Sequence, residues 1–433
     1  MNPGWLLYNN LSFITPFPNT WDRTSATQTA NCAGGAYDAA STNVACKNVE
    51  AYLDAQSSNI SSYPDALWQS GVTGPWRLAT IDDLGNATFV PNQKYSGPQK
   101  AQVAAVKLVA FTSTQAEENA LQAGTIDLGF VDPDVLTSPA PAPGKVGPNW
   151  GNLAQNYNII DAPLWNFVYA PFNFDPANPK AAAISQLYIR QALQSSVDQD
   201  GILTNIDKGY GVPIYSPLPP TTPASIGTLP ANPYPFNLTA AKALLTSHGW
   251  TEVGGLDTCT SPGTSATECG AGITMGYTLN LSLVWASGYP SLSEQMESEI
   301  NDWATIGIVV AGSTDTFNNV VGVDCNLGST FDMCDWGGGW TYAPDYYPSG
   351  ESLFAPGGGF NIQDYNNATM TSLITATDFG TANLTAYAAF AAQNLPVLYQ
   401  PANFDPGEVI KTLHSSNGFL NPLGNFMPEY MHF

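Results

Sequence analysis

The feature that most constrains this chain is a change of hydrophobic period that occurs twice along it. In residues 278–310, Leu279, Leu281 and Leu283 alternate with other side chains as a strand requires. Leu292, Met296, Ile300 and Trp303 then recur at helical spacing, and Ile306-Gly307-Ile308-Val309-Val310 follows as a second apolar run. Residues 106–130 repeat the pattern. Val106, Leu108 and Ala110 alternate, a helix over Gln115–Ala123 stops at Gly124, and Ile126-Asp127-Leu128 opens the next strand. Strands alternating with helices build α/β layers. Between the start and the first such unit, residues 67–95 read as a β-meander, with a hairpin turn at Leu84-Gly85-Asn86.

A chain of 433 residues exceeds what one core usually serves, so two lobes are expected. No apolar run approaches the roughly 18–20 residues of a membrane span. No basic segment with an apolar core stands at the N-terminus, so no signal peptide is visible there. Met1 leads directly into Asn2-Pro3-Gly4-Trp5, which reads like the middle of a domain.

The balance of 12 Lys+Arg against 35 Asp+Glu gives a net charge of -23. Phosphate binding needs clustered cations, so nucleic acid is excluded as a partner, and anionic membrane surfaces are equally unfavourable. Charged residues make up only 11% of the chain, and a polar surface this sparse in charge suits an external medium, an acidic one included. The cysteines fall into three short-range pairs, Cys32/Cys46, Cys259/Cys269 and Cys325/Cys334. Local disulfides are the economical pairing and place the protein in an oxidising compartment outside the cytoplasm. Zinc binding is the rival reading. It lacks support because no pair has a two-residue spacing and His248, His414 and His432 are scattered.

The stretch Leu187–Pro219 carries Ile189-Arg190-Gln191-Ala192-Leu193, then Val197-Asp198, Gly209-Tyr210-Gly211, Pro217 and Pro219. It resembles a signature of the family 5 extracytoplasmic solute-binding proteins of ABC importers, the class that captures peptides. Further segments match in the family's order. These are Ile14-Thr15-Pro16-Phe17-Pro18, Gly74-Pro75-Trp76, Pro91-Asn92 with Tyr95, Ala120-Leu121 with Gly124, Ile126 and Asp127, and Lys242-Ala243 with Leu245, Gly249 and Trp250. Asn237 stands where the family has an Asp, and either residue can cap the following helix. Arg190 is expected as a buried ion-pair or cap partner rather than a ligand contact.

The resemblance implies an α/β fold of the periplasmic-binding-protein-like type II, with two lobes and mixed sheets, whose N-terminal portion is missing here. It looks like the second half of a family member. The expected division is a partial lobe I over 1–172, a ligand-binding lobe III over 173–405 and a C-terminal return to lobe I over 406–433. The implied function is that of a non-enzymatic, monomeric receptor. Its lobes would close on a peptide outside the cytoplasm for delivery to ABC permease membrane subunits. No cofactor and no metal are implied.

Recognition is expected in residues 331–347, which resemble the family's Phe-Asp-Met, Gly-Trp and Ala-Asp-Tyr segment. Asp345 falls at the carboxylate that pairs with a peptide's α-amine in relatives, through a charge-assisted hydrogen bond. Four residues separate it from Trp340, where the oligopeptide-binding pattern has two. Trp336, Trp340, Tyr342 and Tyr346, with Trp285 and Tyr289 from the preceding strand-to-helix loop, are the candidate aromatic wall of a binding cleft. Gly337-Gly338-Gly339 would allow close approach to the backbone. The same aromatics suit an oligosaccharide, the alternative ligand. Reading from a different class, a secreted glycoside hydrolase would need two carboxylates flanking a sugar, for which Asp332, Asp335 and Asp345 are candidates. A surface adhesin is a third reading.

Overall fold

The computed structural model describes residues 17–32, 40–342, 347–421 and 423–433. Asp345 and Tyr346 lie outside the described residues. By their contacts the described residues form two compact units, one of residues 113–409 with 423–424, the other of 17–112 with 410–421 and 425–433.

In the larger unit the strand Asn280–Ala286 is central, flanked in parallel by Val309–Asp315 and Met333–Asp335. The helix Pro290–Thr305 connects the first two strands, as the switch of period predicts. Leu281, Leu283 and Trp285 point to one buried face, where they meet Met296 and Trp303 of that helix. The Trp285 ring lies where a side chain at Gly312 would have to go, within 2.8 Å of an added Cβ, so glycine is required there by close packing. Asp332 ties two strands together, its Oδ2 accepting from the Ser282 backbone N–H at 2.8 Å and from the Ser282 hydroxyl at 2.9 Å. A second sheet orders Leu128–Phe130, Asp405–Ile410, Tyr157–Ala162 and Val146–Pro148 side by side.

The Leu187–Pro219 stretch opens on the helix Leu187–Gln194, which follows the short helix Ala181–Ile184 after an interruption. The interruption frees the Ile184 carbonyl, and the Arg190 guanidinium takes it at 2.6 Å. The following helix Leu238–Ser247 is capped by Asn237, whose side chain accepts from the Ala240 N–H at 2.9 Å. Residues 137–150 contribute the short strand Val146–Pro148.

The smaller unit holds the antiparallel sheet Trp76–Ile81, Ala87–Pro91 and Val106–Leu108, together with the helix Val44–Ser57. Its hairpin turns at Gly85, which has a φ of 91°, while the Asp82 carboxylate accepts the Leu84 and Asn86 N–H groups. The cysteines pair as Cys32–Cys46, Cys259–Cys269 and Cys325–Cys334, and all six are buried. No helix among the described residues is long and apolar enough to cross a membrane.

Candidate functional site

The central sheet delivers residues 336–342 to a short antiparallel pairing outside it. After the strand Met333–Asp335, the chain turns through Gly337 and Gly339, both at positive φ (84° and 65°), and pairs Trp340–Thr341 with Asn166–Phe167. A Cβ at Gly339 would stand 2.1 Å from the Phe167 carbonyl oxygen, so no other residue fits the close approach of these two backbones. Asn166 donates its side-chain N–H to the Gly338 carbonyl at 3.2 Å, which fixes the glycine run from the other side.

The aromatic residues of this segment divide into outward and inward sets. Trp340 is half-buried, and its ring lies 4.7 Å from that of Phe360, which is 56% exposed. Trp336 donates its indole N–H to the Gly339 carbonyl at 3.1 Å and packs edge-on against Tyr169. Tyr342 is turned into the core, where its hydroxyl donates to the Pro217 carbonyl at 2.6 Å and its ring stacks near Phe167. Trp285 is buried beneath Gly312 and donates to the Ser293 hydroxyl at 3.1 Å. Tyr289 is 45% exposed at the N-terminal boundary of the helix Pro290–Thr305, with no ring stacked on it among the described residues. The structure thus joins Trp336, Trp340 and Tyr342 on one short segment, and sets Trp285 in register with Asp335 beside it but turned into the core.

Phe360 was not among the residues expected from the sequence. Its signal is nonetheless there, because Gly357-Gly358-Gly359-Phe360 repeats the arrangement of Gly337-Gly338-Gly339-Trp340. Both triplets free the backbone to bring an aromatic ring outward, and the two rings meet.

Beneath the segment lies a buried acidic cluster. Asp335 accepts the Gly337 N–H through Oδ1 at 2.6 Å, while its Oδ2 has no partner. Glu299 accepts from Gln295 at 3.0 Å and from the Gln400 amide at 3.2 Å. Loss of hydration pushes the Asp335 carboxyl up to about 7 and that of Glu299 up to about 8. Asp332 is committed to Ser282 and Asp335 to Gly337, so these two acids serve as strand and turn tethers.

The sequence matches the model of the bacterial extracellular solute-binding proteins, family 5 middle region, over residues 39–360. The chain belongs to that family. The solved structures agree at the level of the fold. The oligopeptide-binding protein AppA of Bacillus subtilis, in complex with a nonapeptide, superposes with a TM-score of 0.65 at 16% identity, covering 83% of this chain and 66% of AppA. NikZ of Campylobacter jejuni, in complex with Ni(L-His), gives 0.65 at 17% identity, covering 90% and 74%. Lactococcal OppA, closed on an endogenous peptide, gives 0.64 at 16% identity, covering 84% and 65%. The chain therefore spans just under two thirds of the two peptide-bound relatives. No curated protein matches it. These family 5 neighbours are type II periplasmic binding proteins, which establishes the α/β fold, and they are receptors for solutes rather than enzymes. Among the described residues no three His, Cys, Asp or Glu side chains are grouped to hold a metal ion.

Proposed function

We propose that this family 5 protein is the extracytoplasmic receptor of an ABC importer that captures short peptides by closure of two lobes and hands them to a membrane permease. The reading rests on the Trp340–Phe360 pair, each ring following a glycine triplet, the first of them within the 331–347 segment that the resemblance assigns to recognition. Aromatic faces accept apolar side chains of differing shape, as a receptor for many peptides requires. Asp345 is proposed as the partner of the peptide's α-amine, with Tyr346 beside it. The three disulfides suit an oxidising compartment.

The test is thermal unfolding of the full chain with a pool of short peptides, and separately with cello- and xylo-oligosaccharides. Peptides at a hundredfold excess over Kd should raise the midpoint by roughly 3–5 °C. Trp340→Ala and Asp345→Asn should each remove most of that rise. A shift with sugars alone would overturn the peptide reading and assign the aromatic pair to carbohydrate stacking.

A further inference from the structure

The net charge of the chain is not shared between its two units. Residues 113–409 hold 27 Asp and Glu against five Lys and Arg, whereas the smaller unit holds eight against seven. A surface adapted as a whole to its medium would carry the excess in both units. Here the excess lies in the unit that holds residues 336–342, where it acts on whatever approaches them.

Within the larger unit the imbalance is steeper still. Lys242 and Lys411 bracket 168 residues that contain no Lys or Arg and 17 Asp and Glu. That stretch includes the helix Pro290–Thr305, the glycine-rich turn and both rings of the Trp340–Phe360 pair. The five cations of the larger unit all precede it, and four of them are engaged elsewhere. Lys242 pairs with Glu252, and Lys180 lies over the Tyr277 ring at 5.2 Å from its centroid. Lys208 donates to the Asn205 carbonyl, and Arg190 gives its three nitrogens to backbone carbonyls. Burial raises the carboxyls of Glu299 and Asp335 and removes part of the negative charge near neutrality, whereas Glu294, Glu297 and Asp364 are exposed.

The aromatic pair is an independent observation that favours the same sign of ligand. Phe360 is 56% exposed, and its ring meets that of Trp340 at 4.7 Å with a tilt of 58°. The Phe360 N–H donates to the Ser352 carbonyl at 3.0 Å, which fixes the residue beside the helix Glu351–Phe354. The charged residues nearest to Phe360 along the chain are Glu351, half-buried, and Asp364, both acidic. The face of an aromatic ring carries negative potential and attracts a cation, while the alkyl stem of Lys or Arg packs on the same surface.

We propose, resting on the peptide-receptor reading of this segment, that the captured solute is cationic: a peptide bearing Lys or Arg, whose side chain lies on the Trp340–Phe360 rings in the field of Glu351 and Asp364. Two ranges of attraction are then at work. The summed carboxylates of the larger unit draw the solute in, and salt screens that part over about 10 Å at 0.1 M. The ring contact acts at short range and survives salt. An anionic peptide meets the same field with the opposite sign and finds no Lys or Arg in the 168-residue stretch to answer it.

The experiment is calorimetric titration of the full chain at pH 7 with three peptides of one length. These are trilysine, trilysine acetylated on its side-chain amines, and triglutamate, each at about 20 and about 300 mM NaCl. The expected result is one trilysine per chain, held at least tenfold more tightly than its acetylated form at low salt. The gap should narrow without closing at high salt, and triglutamate should not bind measurably. Trp340→Ala and Phe360→Ala should each weaken trilysine binding severalfold. Should Trp340→Ala fail to fold, Phe360→Ala, at an exposed position, carries the test. Asp364→Asn should lower trilysine affinity about twofold, at low salt only. Equal affinities for trilysine and its acetylated form, tighter binding of triglutamate, or several weak trilysine sites untouched by Phe360→Ala would overturn the proposal. Capture of all three peptides alike would leave peptide recognition standing without charge selection, whereas binding of none would sink both.

Discussion

Buried Arg190 and the buried pair Glu299 and Asp335, all in the larger unit, show opposite solutions to the same problem. Arg190 is 6% exposed and has no carboxylate partner, yet each of its three nitrogens donates a hydrogen bond. Nε donates to the Leu395 carbonyl at 2.9 Å, Nη1 to Ile184 at 2.6 Å and Nη2 to Asn394 at 3.0 Å. These acceptors are the unpaired carbonyls at the ends of the helices Thr385–Asn394 and Ala181–Ile184, where the backbone dipoles favour a cation. The guanidinium also lies 5.1 Å from the Phe174 ring centroid. Burial lowers its pKa only to about 10, so it stays charged. Glu299 and Asp335 are as deeply buried, but Asp335 Oδ2 and Gln400 Oε1 lack partners, and the carboxyls are neutralised by protons instead. A charge seated on preformed dipoles is insensitive to pH, whereas one relieved by protonation makes the fold answer to pH.

The largest predicted effect tests the first half of that contrast. Arg190→Met would strand three carbonyls in the core and should cost about 3–5 kcal/mol in urea unfolding. The loss should be the same at pH 5 and pH 8. A loss below about 1 kcal/mol would mean that the two helix ends are not held by the guanidinium.

The second half predicts acid stabilisation. Glu299 titrates from an ordinary value of 4.5 to about 8 in the folded chain, so between those limits the folded state holds more protons than the unfolded state. Stability must therefore fall as pH rises through this window, by up to about 1.4 kcal/mol per pH unit for each such group. Asp335, raised from 3.8 to about 7, adds to the same trend. Glu299→Gln keeps the shape and removes one titration. It should flatten the curve between pH 5 and 8 and stabilise the protein at pH 8, as denaturant midpoints would show. An unchanged slope would assign the pH dependence to other acids.

How much of this was legible in the sequence follows the physical range of each interaction. The strand–helix–strand unit of 278–310, the Asn237 cap and the Gly85 turn are set by neighbours a few residues apart and stand where the periodicity and turn residues placed them, whereas the strands of 106–130 form but do not share a layer, Val106–Leu108 joining the sheet of the smaller unit and Leu128–Phe130 a sheet of the larger. The short-range cysteine pairs were likewise readable. Arg190 was recognised as structural, but its acceptors, about 200 positions away on another helix end, carry no side-chain signal because they are backbone carbonyls. The direction of Trp285 and Tyr342 was not readable either. An aromatic residue beside glycines can face a cleft or a core, and only the packing against Gly312 and Pro217 decides.

The smallest predicted effect sharpens the comparison from the side of a neutral group. Tyr365 lies near Arg190, which lowers its otherwise raised pKa, and its ring packs edge-on against Phe174 at 5.4 Å. Its hydroxyl is buried without a hydrogen-bond partner, while its backbone is fixed on both sides by Asn361. If Arg190 is fully served by carbonyls, the hydroxyl contributes nothing to it and carries a desolvation cost. Tyr365→Phe should then leave stability within about 0.5 kcal/mol of wild type or raise it slightly. A loss of more than about 1.5 kcal/mol would show that the phenol oxygen supports the guanidinium, and that the cation depends on a side chain as well as on the helix ends.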